Sequence, residues 1–154
     1  MATTEVNAAR SDLDLLALSG RDLDDLYRCG TVGSIPRGTG KGTAVLIPGR
    51  RAARVLAKIT WLTAWQGKVF DEDGTKLVNL VSPLRLRAVK AQVYEGDSWL
   101  DRDRCIVIDY SKTSRIARWV RDEIREVAPD MFVGLVYVGR RRLPLRFVLD
   151  FSGR

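Results

Sequence analysis

The stretch that decides the fold closes the chain: MFVGLVYV (residues 131–138), GRRR (residues 139–142) and LPLRFVLDF (residues 143–151). Two apolar runs of strand length flank a short polar turn containing glycine, which is typical of a β-hairpin. Along the second run every other residue is apolar, while Arg146 and Asp150 fall on the opposite face. The end of the chain therefore predicts paired antiparallel strands.

Similar runs precede this hairpin. Residues 67–70 and 76–81 flank the turn DEDG and predict a second hairpin. Residues 84–94 predict a long strand, and residues 105–110 predict another strand. Short connections between consecutive strands imply antiparallel pairing. A twisted antiparallel sheet of about six strands either leaves an exposed edge or curls toward closure, and we expect it to curl.

Helices complete the predicted fold. Ser19 with Asp22 three residues later is typical of a helix N-terminus, and Gly30 is well placed to end that helix. Apolar residues at helical spacing predict two more helices, over residues 50–65 and 113–127. We therefore predict an α+β fold, an antiparallel sheet curling into a barrel with about three helices.

Length and composition fit one domain. The chain has 154 residues, of which 45% are hydrophobic and 29% charged. We expect a flexible N-terminal tail over residues 1–11 and a single domain over residues 12–154. No apolar run is long enough to span a bilayer or to form a signal-peptide core, so we expect no membrane insertion and a cytoplasmic protein. Cys29 and Cys105 are then expected to be free, buried thiols.

The chain contains no histidine. This excludes Ser-His-Asp and Cys-His catalysis and imidazole ligation of metals. Two separated cysteines cannot build a thiolate zinc site either. We expect no metal and no cofactor, and any acid–base chemistry must use Asp, Glu, Lys, Tyr or Arg side chains.

The net charge of +7 comes mostly from scattered arginines. Scattered charge favours solubility, so we do not expect nucleic acid as a partner. The run Arg140-Arg141-Arg142 is expected to be solvated. GTGKG (residues 38–42) does not form a phosphate-binding loop, because Ile35 replaces the first glycine and a strand (residues 43–47) follows. It is expected to be a flexible loop before that strand.

Polar residues on otherwise apolar strands are the candidate site. Strand alternation places Ile106, Ile108 and Tyr110 on one face and Asp109 on the other. Lys68, Lys90, Asp109 and Arg146 either face solvent or point into a pocket, where charged groups must be paired. In a chain without histidine, a Lys–Asp–Tyr set is the available acid–base apparatus.

Three short segments resemble small bacterial lipocalin-like barrels, the poorly characterised families with a G-x-W-x-G or W-x-G-K-x-F signature. The matching residues are Trp65, Gly67, Lys68 and Phe70, then Tyr94-Glu95-Gly96, then the closing segment over residues 146–151. The chain departs from that pattern in the predicted helix over residues 113–127. The resemblance implies a lipocalin-like barrel whose cavity holds an apolar small molecule.

Three functional hypotheses follow, and the sequence also leaves a homodimer open. The first is a barrel that binds a hydrophobic or amphipathic small molecule between aromatic walls and basic residues that orient a polar head. The candidate walls are Trp61, Trp65, Tyr94 and Tyr137, and the candidate head-group residues are Lys68, Lys90 and Arg146. The second is a cofactor-free isomerase, cyclase or hydrolase that uses Asp109, Tyr110 and Lys90 in the same cavity. The third is a nucleic-acid or protein interaction module that uses the arginines.

Overall fold

The structure of the protein is a computed structural model. It describes residues 15, 17–46, 65–81 and 86–153, with residues 46 and 86–88 described by their backbone alone. Three predicted features lie outside these ranges: the N-terminal tail (residues 1–11), residues 50–64 of the second predicted helix, and Trp61.

The described residues form one helix and eight strands. The helix, α1 (Gly20–Cys29), begins with the predicted capping box, in which Ser19 and Asp22 bond each other's backbone amides. The strands are β1 (Gly38–Leu46), β2 (Trp65–Phe70), β3 (Lys76–Val81), β4 (Leu86–Asp97), β5 (Arg104–Asp109), β6 (Val120–Ala128), β7 (Met131–Val138) and β8 (Arg141–Asp150). Each strand pairs antiparallel with the next, and β8 pairs with β1, so the sheet closes into a barrel.

The predicted α+β class with about three helices is wrong. The structure is a mostly β closed barrel, and the described residues contain only the short helix α1. Residues 113–127, predicted as a helix, form a loop followed by strand β6, which pairs with β5 and β7. The apolar stripe of this segment fits a helical period, but strand pairing on both sides overrides that local signal. The sheet curls as expected and closes completely.

The first strand begins earlier than predicted. β1 starts at Gly38 rather than at residue 43, so GTGKG lies in the sheet and is not a flexible loop. A side chain at Gly42 would collide with the ring of Trp65, and one at Gly40 with the ring of Phe151. These glycines therefore make room for aromatic rings inside the barrel.

The core has an inner and an outer part. Inside the barrel, Ile106, Ile108 and Tyr110 belong to one cluster of buried side chains, as the alternation of β5 predicted. Cys105 and Val107 point outward and pack against Leu23 and Tyr27 of α1, which covers the outside of the barrel. One end of the interior is filled by aromatic and aliphatic side chains: Phe70, Leu77, Phe132, Leu149 and Phe151.

Both cysteines are free, but only Cys105 is buried. The expectation that both thiols are buried is therefore wrong for Cys29, which lies at the exposed end of α1. Among the described residues, no helix is long and apolar enough to cross a membrane.

Candidate functional site

A cavity of about 500 Å³ occupies the end of the barrel opposite the packed aromatic core. Its wall is formed by residues of every strand except β5, together with Tyr110 directly after β5 and the loop between β5 and β6. Most of the lining side chains are apolar. The lining includes Trp65, Lys68, Asn79, Val89, Tyr110, Asp122, Val136 and Phe147. A volume of this size fits a small organic molecule.

A β-bulge in β2 brings both Trp65 and Lys68 into the cavity. Residues three apart on a regular strand face opposite sides of the sheet. Here the register with β3 shifts between Trp65 and Gly67, so that one residue is inserted and both side chains point inward. Gly67 has a φ angle of 141° and lies against the backbone of Gly40, where a side chain would collide. The glycine of the W-x-G-K segment is therefore required by the bulge that orients Lys68.

Lys68 is the centre of a buried polar cluster. Only 3% of this residue is exposed. Its Nζ donates to Asp122 Oδ2 at 2.9 Å, to Tyr110 Oη at 2.7 Å and to Asn79 Oδ1 at 2.9 Å. The same ammonium lies between 5.3 and 5.5 Å from the ring centres of Trp65, Tyr110 and Phe147. Ion pairing, hydrogen bonds and aromatic rings together compensate the burial of this charge.

Asn79 connects the cluster to the cavity wall. Its amide nitrogen donates to the carbonyl of Val89 at 3.0 Å and to Tyr110 Oη at 3.0 Å. Its oxygen accepts from the Trp65 indole at 3.2 Å, in addition to Lys68. Val89 is an inserted residue with a positive φ of 57°, opposite a register shift between Val78 and Asn79. The Asn79 amide thus supports a second bulge beside the cluster.

Two groups of the cluster, Lys68 and Tyr110, have raised pKa values. Burial by itself would lower the pKa of Lys68, but the neighbouring Asp122 carboxylate and the Tyr110 phenol outweigh it and raise that pKa above its ordinary value. Burial and the charge of Asp122 raise the pKa of Tyr110 to about 12. At neutral pH the ammonium is therefore protonated and the phenol is neutral.

Two of the predicted ligand-binding residues, Trp65 and Lys68, line this cavity. Tyr94 faces outward, is 40% exposed and donates to Asp109 Oδ2 at 3.1 Å. Tyr137 belongs to the outer cluster beneath α1, where its ring packs edge-on against Trp99. Arg146 also lies outside, where its guanidinium binds both carboxylate oxygens of Asp24 on α1 at 2.6 and 2.9 Å.

The three predicted catalytic residues do not share one site. Tyr110 lies in the cavity, next to Lys68. Asp109 lies on the opposite face of β5, where it accepts from the amide of Ser111. Lys90 is exposed on β4 and is not among the residues that line the cavity.

Sequence reasoning missed Asn79 and Asp122. In β3, strand alternation puts Leu77, Asn79 and Val81 on one face, so an asparagine on an apolar face is a signal that could have identified Asn79. Asp122 could be found only after residues 120–128 were recognised as a strand. Because residues 113–127 were predicted as a helix, Asp122 was not assigned to a strand face.

Apolar side chains are exposed at the rim of the cavity. Ile116, in the loop between β5 and β6, lines the cavity and is 92% exposed, and Val138 at the end of β7 lines it as well. Trp119 in the same loop is 62% exposed, and its carbonyl accepts from the amide of Gly139 in the turn between β7 and β8. The loop and the end of β7 therefore present exposed apolar side chains beside the cavity.

Comparison with known proteins supports the fold alone. No protein-family model matches the chain, and no curated protein matches it. A crystal structure of a protein from Thermomonospora curvata is similar, with a TM-score of 0.56 and 20% sequence identity over 86% of this chain and 87% of that chain. The class that these observations define is a closed eight-stranded antiparallel β-barrel, which agrees with a lipocalin-like barrel at that coarse level.

Proposed function

We propose that this barrel binds a hydrophobic or amphipathic small molecule in its cavity. The observation that carries the proposal is an apolar cavity of about 500 Å³ with one buried polar cluster in its wall. Apolar walls with a few placed polar groups are typical of small-molecule sites. In this proposal Trp65 and Phe147 contact the apolar part of the ligand, and the cluster around Lys68 orients its polar end.

The protonation of Lys68 and Tyr110 argues against the predicted acid–base set and so favours binding. A general base near neutral pH must be able to accept a proton. The pKa of Lys68 is raised and that of Tyr110 is raised to about 12, so neither side chain is deprotonated at neutral pH. Asp109 and Lys90, the other predicted members of an acid–base set, lie outside the cavity.

Four of the described arginines are held in ion pairs, which favours a structural role for these residues over an interaction module. Arg125 binds both oxygens of Asp101 at 2.7 Å, and Arg121 lies 3.0 Å from Glu123. Arg142 and Arg146 both contact Asp24. Guanidinium groups held in such pairs are less available to phosphates.

Binding of the neutral fluorescent dye N-phenylnaphthylamine tests the proposal. Val136 lines the cavity on β7, and Val136→Phe should fill part of it and weaken dye binding at least roughly tenfold, because a few lost apolar contacts have that effect. The matched variant Val69→Phe changes a side chain outside the cavity lining and should bind like the wild type. Circular dichroism checks that both variants fold. Failure of the dye to bind, or equal binding by both variants, would contradict the proposal.

A further inference from the structure

The hydrogen-bond donors of the polar cluster are fully used. The Lys68 ammonium has three protons, and each reaches an acceptor within 2.9 Å. The two amide protons of Asn79 go to Val89 and Tyr110, and the Tyr110 hydroxyl donates to Asp122 Oδ2 at 3.2 Å. A ligand that needs a donor from this cluster would have to break one of these bonds.

One acceptor in the cluster is open. Asp122 Oδ2 accepts from both Lys68 and Tyr110, whereas no hydrogen bond from the described residues reaches Asp122 Oδ1. In the described part of the chain, no side-chain oxygen or nitrogen sealed from solvent lacks a hydrogen bond. Asp122 Oδ1 is therefore accessible, and because Asp122 lines the cavity, this oxygen is available to a molecule inside it.

The described residues that line the cavity offer no spare positive charge. Lys68 and Asp122 are the only charged side chains among its described lining residues, and they form an ion pair. A carboxylate ligand would bring a negative charge next to Asp122, and no unpaired cation of the described lining would receive it. Such a charge loses its hydration on burial and gains no compensating partner.

We infer that the polar end of the ligand is a neutral hydrogen-bond donor, a hydroxyl or an N–H group, which donates to Asp122 Oδ1. This inference rests on the proposed binding function. It separates ligands of the alcohol, phenol or amide class from fatty acids, which fit the same apolar walls.

Competition with N-phenylnaphthylamine tests this selectivity. Decanol, methyl nonyl ether and decanoate have similar apolar chains and differ in the polar end. Decanol should displace the dye at roughly tenfold lower concentration than the ether, because only the alcohol donates a hydrogen bond to a charged acceptor. Decanoate, ionised at about pH 8, should compete at least roughly tenfold less well than decanol.

Substitution of Asp122 should invert the preference. Asp122→Asn keeps the size of the side chain but leaves Lys68 without its counter-charge, so decanoate should then displace the dye at lower concentration than decanol. The matched variant Asp103→Asn, in the exposed turn between β4 and β5, should keep the wild-type order. If Asp122→Asn does not fold, the inference is tested by the order in which decanol, the ether and decanoate displace the dye from the wild-type protein.

The two proposals fail in different ways. If the dye does not bind to the wild-type protein, the proposed function is wrong. If the dye binds but decanoate competes as well as decanol, the cavity exists and only the inferred head group is wrong. An Asp122→Asn variant that folds and keeps the order of the wild type would also overturn the inference.

Discussion

At the scale of single residues, the Lys68–Asp122 ion pair depends on both partners. Their charged atoms are 2.9 Å apart, and both side chains are almost completely buried. A buried pair is often no more stabilising than apolar residues of similar size, but removal of one partner leaves a charge without water or counterion. A single substitution of Lys68 or Asp122 should therefore lower the free energy of unfolding much more than simultaneous replacement of both residues.

Lys68→Met should lower the free energy of unfolding by about 3–5 kcal/mol, because it leaves the Asp122 carboxylate buried and unpaired. The double variant Lys68→Met/Asp122→Leu should recover a large part of that loss. Urea unfolding of the wild type, both single variants and the double variant measures the coupling between the two residues. The matched change Lys90→Met removes an exposed lysine and should alter stability by less than about 1 kcal/mol.

Equal effects of Lys68→Met and Lys90→Met would contradict the buried position of Lys68. Additive effects of the two single substitutions at Lys68 and Asp122 would contradict their pairing.

At the scale of elements, β6 is the strand that the sequence pattern did not predict. Val120 and Asp122 line the cavity, while Glu123 and Arg125 lie outside the barrel beneath α1. Glu123 is fully buried and accepts from Tyr27, Ser98, the Trp99 amide and Arg121. Charged residues on both faces of a strand break the alternating pattern by which strands are recognised. The segment instead matched a helical period, so both the strand and Asp122 were missed.

Other elements were predictable because their patterns are undisturbed. The hairpin of β2 and β3 and the faces of β5 follow from alternation and turn residues alone. Lys68 was identified as a polar residue on an apolar strand, but its inward orientation depends on the bulge at Gly67 and on three partners: Asn79 in β3, Tyr110 just after β5 and Asp122 in β6. Such partners come from distant parts of the chain, and no local pattern specifies them. The same holds for Arg146, whose partner Asp24 lies on α1.

The attachment of α1 to the barrel should depend on Asp24. Its carboxylate receives two hydrogen bonds from Arg146 and one from Arg142. Asp24→Asn should lower the free energy of unfolding by about 1–3 kcal/mol and speed hydrogen exchange of the α1 amides, because a buried guanidinium loses its anion. The matched variant Asp25→Asn, at the exposed neighbouring position, should leave both quantities unchanged.

Dye binding in the cavity should survive Asp24→Asn, because Arg146 lies outside the barrel. Loss of dye binding in that variant would show that Arg146 contributes to the cavity, as the sequence predicted. Unchanged exchange of the α1 amides would show that the Asp24 contacts do not hold the helix.

At the scale of the whole molecule, several buried acids give stability the same pH dependence. Burial is the main cause that raises the pKa of Tyr110, Tyr137 and Cys105, each to about 12. Each group keeps its proton in the folded protein at a pH where the unfolded chain has already released it. Their contribution to the free energy of unfolding is therefore complete below about pH 9, the lowest ordinary pKa among the three groups. It is lost as the pH rises toward 12.

The free energy of unfolding should fall steadily above about pH 9, and Tyr110→Phe should make that fall shallower. Between about pH 9 and 11 the free energy of unfolding should fall by about 1 kcal/mol less in the variant than in the wild type, since one pKa unit corresponds to about 1.4 kcal/mol. Urea unfolding at several alkaline pH values measures it. An identical pH dependence in Tyr110→Phe and the wild type would contradict the raised pKa of this phenol.

The closed barrel also determines the order in which the molecule can fold. Seven of its pairings join strands that are consecutive in the sequence, whereas the pairing of β1 with β8 joins strands from opposite ends of the described chain. Hairpins between consecutive strands can form early, but the last seam requires closure of a very long loop, which makes such topologies slow to fold. The cavity is complete only once that seam has formed. A molecule that binds in the cavity should therefore slow unfolding without speeding folding.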